Sequence, residues 1–73
     1  MTKEDKLIEI GNIVREARIR VRLSQTELAH SIGKDQPSIN RLEKGKINPS
    51  YVYLTEVCEG LNISMEELFS NQK

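Results

Sequence analysis

The sequence predicts an all-α fold: a compact five-helix bundle that makes one domain of residues 1–73. Three observations lead there. Apolar residues recur at spacings of three and four, the helical period, and little reads as strand. The hydroxyl-x-x-acid pattern that caps helix N-termini occurs three times, at Thr2/Asp5, Ser24/Glu27 and Ser64/Glu67. Gly33, Gly45 and Asn62 follow the periodic runs, at places where a left-handed residue closes a helix. A chain of 73 residues is one domain at most, with a modest core and a small stability margin, so self-association is expected from size alone.

The first helix is expected over Lys3 to Val21, with Thr2 as its cap. Leu7, Ile10, Val14, Ala17 and Val21 form its apolar stripe, and Ile8 and Ile19 fall on the opposite face. The second, about residues 25–32, has the clearest start. Ser24 and Glu27 form a capping box, Leu23 and Leu28 form a hydrophobic staple, and the helix buries Leu28, Ala29 and Ile32 before Gly33 stops it. The third pattern runs from Asp35 to Lys44, with the helix itself about residues 36–44. Asp35 can accept from the Ser38 amide, and Pro37 sits in the first turn, where its missing N–H costs little. Ser50 caps the fourth, Tyr51 to Leu61, in which Gly60 weakens the end and Asn62 closes it. Ser64, Glu67, Ile63 and Leu68 repeat the box and staple for a short fifth helix, about Met65 to Ser70.

Composition excludes several classes. Apolar residues are 37% and charged ones 30%, as in a soluble globular domain. No apolar run is long enough for a membrane, and the charged start MTKEDKLIEIG has no signal-peptide core, so a cytoplasmic chain is expected. One cysteine, Cys58, cannot make an internal disulfide, and with one histidine, His30, it cannot supply a structural zinc site. Cys58 shares a stripe with Leu54, Val57 and Leu61 and reads as a core thiol; His30 reads as a surface residue. The chain offers no catalytic triad, no paired carboxylates, no phosphate loop and no place for a small effector. It is expected to be neither an enzyme nor a cofactor protein.

Formal charge is zero but unevenly placed. Residues 1–46 carry ten Lys/Arg against seven Asp/Glu, and residues 47–73 carry one against four. The field is polarised toward the first half.

Between the second and third helices lie only Gly33, Lys34 and Asp35, a join that sets two helices at a steep angle and is the helix-turn-helix signature. In such a unit the second helix enters the DNA major groove. The third helix has the chemistry for it. Ile39 and Leu42 point one way, and Gln36, Pro37, Asn40, Arg41 and Lys44 point the other. An amide can pair bidentately with adenine and a guanidinium with guanine, while Pro37 can press on a thymine methyl. Gln36, Pro37, Asn40 and Arg41 are therefore the candidate base contacts. Gln25, at the N-terminus of the second helix, and Lys44, Lys46 and Asn48, after the recognition helix, are the candidate phosphate contacts, with Arg22 and Lys34 as weaker ones.

The segment LSQTELAHSIGKDQPSINRLEKGKINPS followed by LNISMEELF resembles the lambda-repressor-like, or Xre-type (Cro/repressor), helix-turn-helix proteins. The resemblance covers roughly Ile10 to Phe69. Ser24-Gln25, Leu28-Ala29, Gly33, Ile39, Leu42-Glu43, Gly45-Lys46, Asn48-Pro49-Ser50 and Glu67-Leu68-Phe69 all fit in register. It implies five helices, sequence-specific binding of double-stranded DNA and usually a homodimer on a two-fold operator. It also implies a structural ion pair between Arg18 and Glu43. Three positions depart from the family pattern: Arg22 where glycine is usual, Gly60-Leu61-Asn62 where Ala-Leu-Gly is usual, and Pro37 where a hydrogen-bonding side chain is common.

The expected function is that of a sequence-specific transcriptional regulator, a repressor acting as a homodimer. The alternative is an antitoxin-like chain or interaction module that binds a partner protein such as a toxin. Tyr51, Met65 and Phe69, with Tyr53, Ile8 and Ile19, are the surface that would serve either a second copy or that partner.

Overall fold

Each of the first four helices begins where a side-chain oxygen accepts from the amide three residues on, and each ends where one residue turns left-handed. A computed structural model describes residues 1–70, with helices α1 (Lys3–Arg20), α2 (Gln25–Ser31), α3 (Gln36–Glu43), α4 (Tyr51–Leu61) and α5 (Met65–Ser70). Thr2, Ser24, Asp35 and Ser50 are the first four caps, and Ser64 holds the Glu67 amide at 3.0 Å in the same way for α5. The boxes at Thr2/Asp5, Ser24/Glu27 and Ser64/Glu67 are reciprocal, with each acid accepting from the cap's own amide.

The left-handed residues are Arg22, Gly33, Gly45 and Asn62. After each, the next amide reaches back five residues: Leu23 to Arg18, Lys34 to Ala29, Lys46 to Arg41 and Ile63 to Cys58, at 2.8–3.2 Å. This closure accounts for the small differences from the sequence expectation. Val21, Ile32 and Lys44 fall just outside their helices as closing residues. At Arg22, where the family pattern has glycine, the first helix stops with the same turn, at φ 64°, and carries the strain of a Cβ there.

The core gathers Ile13, Val14 and Ala17 from α1, Leu28 and Ala29 from α2, and Ile39 and Leu42 from α3. Leu54, Val57, Cys58 and Leu61 from α4 and Leu68 from α5 complete it. The buried arc of α1 is wider than the expected stripe. It takes in Gly11 and Ile13, whereas Leu7 and Ile10 are half-buried and Val21, past the helix end, is exposed.

Two glycines set helix spacing. A Cβ on Gly11 would stand 2.5 Å from the Glu43 carbonyl oxygen and 2.6 Å from that of Leu42, so α1 lies directly on the backbone at the end of α3. A Cβ on Gly60 would stand 2.7 Å from Ile32 Cγ2 and 2.8 Å from Leu28 Cδ1. Gly60 is therefore needed for the approach of α4 to α2, beyond its effect on helix propensity, and Asn62 supplies the left-handed turn at φ 60°.

Candidate nucleic-acid interface

Helix α3 is short. It has eight residues, three of them buried: Ile39, Leu42 and Glu43. Glu43 is the one buried charged residue among the described residues, at 5% exposure. A carboxylate there is tenable only if its lone pairs are met. Arg18 meets it with a two-pronged pair, Nε to Oε2 at 2.6 Å and Nη2 to Oε1 at 3.0 Å. Its third prong, Nη1, donates to the Leu23 carbonyl at 2.7 Å, in the turn that Arg22 creates. The bond to Glu43 pushes the Arg18 guanidinium above its already high ordinary value.

Gln25 continues the chain outward. Its Nε2 donates to Glu43 Oε1 at 3.0 Å. Its Oε1 accepts from Gln36 Nε2 at 2.7 Å and from Asn40 Nδ2 at 3.3 Å. Arg18, Glu43, Gln25, Gln36 and Asn40 thus form one connected series from α1 through the end of α3 and the start of α2 to the front of α3. The series orients the amides of Gln36 and Asn40. With one N–H committed to Gln25, Gln36 keeps a carbonyl oxygen and a second N–H, the pair of groups that adenine N6 and N7 require. The sequence marks Gln25 for a phosphate; the structure places its side chain in this series, half-buried.

Pro37 and Arg41 are exposed on the outward row. Arg41 Nη2 lies 3.4 Å from Ser38 Oγ. Lys44, Lys46 and Asn48 are all exposed around the turn at Gly45, immediately after α3. Asp35 accepts from both the amide and the hydroxyl of Ser38, at 3.0 and 2.6 Å, and these bonds hold its carboxyl below the ordinary value of 3.8. Arg22 is exposed, and Lys34 pairs loosely with Glu56 at 3.8 Å.

The remaining surface candidates separate. Tyr51 is 71% exposed and Phe69 40%, with Val52 beside Tyr51 at 64%. Ile8 and Ile19 are both exposed on α1, and Ile8 lies against the turn at Gly45. Met65 turns inward, packing on the core with its sulfur 3.5 Å from Cys58 Sγ, and burial pushes the Cys58 thiol up. Tyr53 is half-buried, and its hydroxyl finds no hydrogen-bond partner among the described residues. The sequence carries a signal for that burial: Tyr53 precedes Val57 by one turn, at the edge of the Leu54/Val57/Cys58/Leu61 stripe. Nothing in the pattern marks its hydroxyl as unpaired. No described helix is long and apolar enough to cross a membrane.

Known proteins resemble this chain in sequence and in fold. The family model for helix-turn-helix proteins matches residues 14–68. Control protein C.MunI of a Mycoplasma species is 37% identical over 68 residues, 92% of this chain and 92% of its own. An uncharacterized HTH-type transcriptional regulator of Archaeoglobus fulgidus is 38% identical over 56 residues, 77% of this chain and 80% of its own. Among solved structures, the restriction-modification controller protein C.AhdI from Aeromonas hydrophila superposes with a TM-score of 0.87 at 32% identity, covering 94% of this chain and 100% of that one. The clp gene regulator ClgR from C. glutamicum gives 0.77 at 25% identity, covering 81% and 76%. The chain belongs to the helix-turn-helix family of DNA-binding transcriptional regulators.

Proposed function

We propose that this regulator binds a two-fold operator as a homodimer, reads bases through α3 and represses the genes it controls. The observation that carries the reading is the series from Arg18 to Gln36 and Asn40, which presents two oriented amides on an exposed helix beside Pro37 and Arg41. Gln36 and Asn40 pair with adenine edges, Arg41 reaches guanine, and Pro37 fits a thymine methyl. Gln25, Lys44, Lys46 and Asn48 flank the helix on its two sides and hold the phosphates. Tyr51, Val52 and Phe69 supply the exposed apolar surface that a second copy would cover. Two such copies place their half-sites about 10 bp apart, one turn of the duplex.

Likeness to control protein C.MunI and to the restriction-modification controller C.AhdI supports a narrower role, control of restriction-modification genes. The test is a fluorescence-anisotropy titration against DNA from upstream of the chain's own gene and a shuffled duplex, at two salt concentrations. Tight, cooperative binding to the upstream DNA alone is expected. Gln36→Ala should lower specific affinity by about 1–3 kcal/mol and leave shuffled-DNA binding unchanged. A variant that keeps full discrimination removes α3 as the reading element. Sedimentation at micromolar concentration should give a dimer; a monomer there would sink the homodimer.

A further inference from the structure

On the side of α3 away from Gln25 lies a concavity of about 210 Å³, lined by Lys34, Ser38, Arg41, Ile47 and Tyr53. The α2–α3 turn, one face of α3, the α3–α4 loop and the first turn of α4 each contribute to it. Three of its lining residues, Lys34, Arg41 and Tyr53, carry donors with weak or absent partners. The Tyr53 hydroxyl is shielded from solvent and unpartnered among the described residues. Lys34 Nζ stands over the Tyr53 ring, 5.4 Å from its centre, and reaches Glu56 only at 3.8 Å. Arg41 is held by a single 3.4 Å contact. Of the nearby acids, Asp35 is occupied by both donors of Ser38 and Glu56 by Lys34. A buried hydroxyl left without a partner costs stability, and two loosely held cations beside it favour an anionic acceptor.

We propose that this concavity is a phosphate site. Lys34, which stands over the ring, shifts to uncover Tyr53 Oη; a phosphate oxygen then accepts from that hydroxyl, and Lys34 and Arg41 close over it from the turn and from α3. The proposal rests on the DNA-binding reading and deepens it: the phosphate belongs to the backbone strand that runs along this flank of the recognition helix. Arg41 has donors enough to meet a base edge and a phosphate together. Lys34 gives up Glu56 for the phosphate, so Glu56 acts as a competitor for that lysine.

The test uses Tyr53→Phe, which removes one oxygen and keeps the ring, and Glu56→Gln, which releases Lys34. Tyr53→Phe should raise Tm, because the orphaned hydroxyl is gone. It should also weaken binding to upstream and shuffled DNA alike, by about tenfold, as expected for a hydrogen bond to a charged group. Glu56→Gln should strengthen both. A Tm gain with unchanged affinity, while Gln36→Ala still lowers affinity for the upstream DNA alone, would overturn the phosphate site and leave the reading of α3 standing. If the wild-type chain binds no DNA at all, the DNA reading has failed, and titration with inorganic phosphate decides the site by itself. Saturating NMR shifts at Tyr53 and Lys34 that vanish in Tyr53→Phe would establish a site for free phosphate, and their absence would end the proposal.

Discussion

The two flanks of α3 are built on opposite terms. Toward α1 and α2, Arg18, Glu43, Gln25, Gln36 and Asn40 meet one another at 2.6–3.3 Å, from a buried carboxylate out to the half-buried amides. Toward α4, Lys34, Ser38, Arg41 and Tyr53 surround a concavity in which only Ser38 is firmly held, at 2.6 Å by Asp35; the other contacts are 3.4 and 3.8 Å, and one hydroxyl meets nothing among the described residues. A closed polar network fixes geometry, because each group loses a partner if another moves. An open set of donors fixes little by itself and is available to a ligand. The first flank therefore sets where the helix points, and the second is the one left open to the proposed phosphate.

Cutting the first flank at its root gives the largest effect. Arg18→Met leaves Glu43 buried with only Gln25 as a donor, and urea unfolding should show a loss of about 3–5 kcal/mol. The paired change Arg18→Met with Glu43→Leu should recover most of that loss, since no unpaired charge remains. If the single substitution costs no more than an ordinary surface change, the ion pair does not anchor the flank. Gly11→Ala acts on the same end of α3 through sterics. The new Cβ meets backbone carbonyls of Leu42 and Glu43 that have no rotamer to escape into, so a loss of about 2–3 kcal/mol is expected, with weaker operator discrimination among molecules that still fold.

A third substitution should add stability. Arg22 holds φ 64°, and the turn it makes delivers the Leu23 carbonyl to Arg18. Arg22→Gly keeps that turn and relieves the Cβ, so thermal unfolding should show a gain of about 1 kcal/mol. Asn62→Gly should gain less, because asparagine tolerates the left-handed region better than arginine. Equal gains at the two sites would mean that the strain at Arg22 is already absorbed by the network.

How much of this was legible beforehand follows from the range of each interaction. Capping boxes, staples and stops act over three to five residues, and Ser24/Glu27, Ser64/Glu67, Asp35/Ser38 and Asn62 were read from spacing alone. The expectation of an all-α helix-turn-helix chain rests on the same local rules together with the family resemblance. The Arg18–Glu43 pair came only through the resemblance, because 25 residues separate its partners and no periodicity links them. Gln25 shows the limit most clearly. A glutamine at a helix N-terminus suggests an outside anion, but spacing does not show that one acceptor and two donors on α3, brought close by the tight turn, also engage its amide. Gly60 reads from sequence as a weak helix former because propensity is local, while the Ile32 and Leu28 side chains that require it come from α2 and its closing residue. Met65 looked like surface on a helix too short to show a clear stripe. The phenol of Tyr53 is invisible to any pattern, since only the fold determines that no partner reaches it.

The smallest stability effect belongs to the second flank, and it tests the comparison most directly. Arg41→Ala removes a guanidinium that is exposed and holds one 3.4 Å contact, so urea unfolding should move by no more than about 0.5 kcal/mol. DNA binding should still suffer. Loss of a base-reading arginine costs about 1–3 kcal/mol in specific affinity, and loss of a phosphate contact lowers the salt slope by about one charge. A variant as stable as wild type but poor at binding is what an open flank produces, because its groups do their work only when DNA is present. A variant that loses stability and binding in proportion would mean that this flank, like the other, holds the helix in place, and the division between a fixed side and a responsive side would be lost.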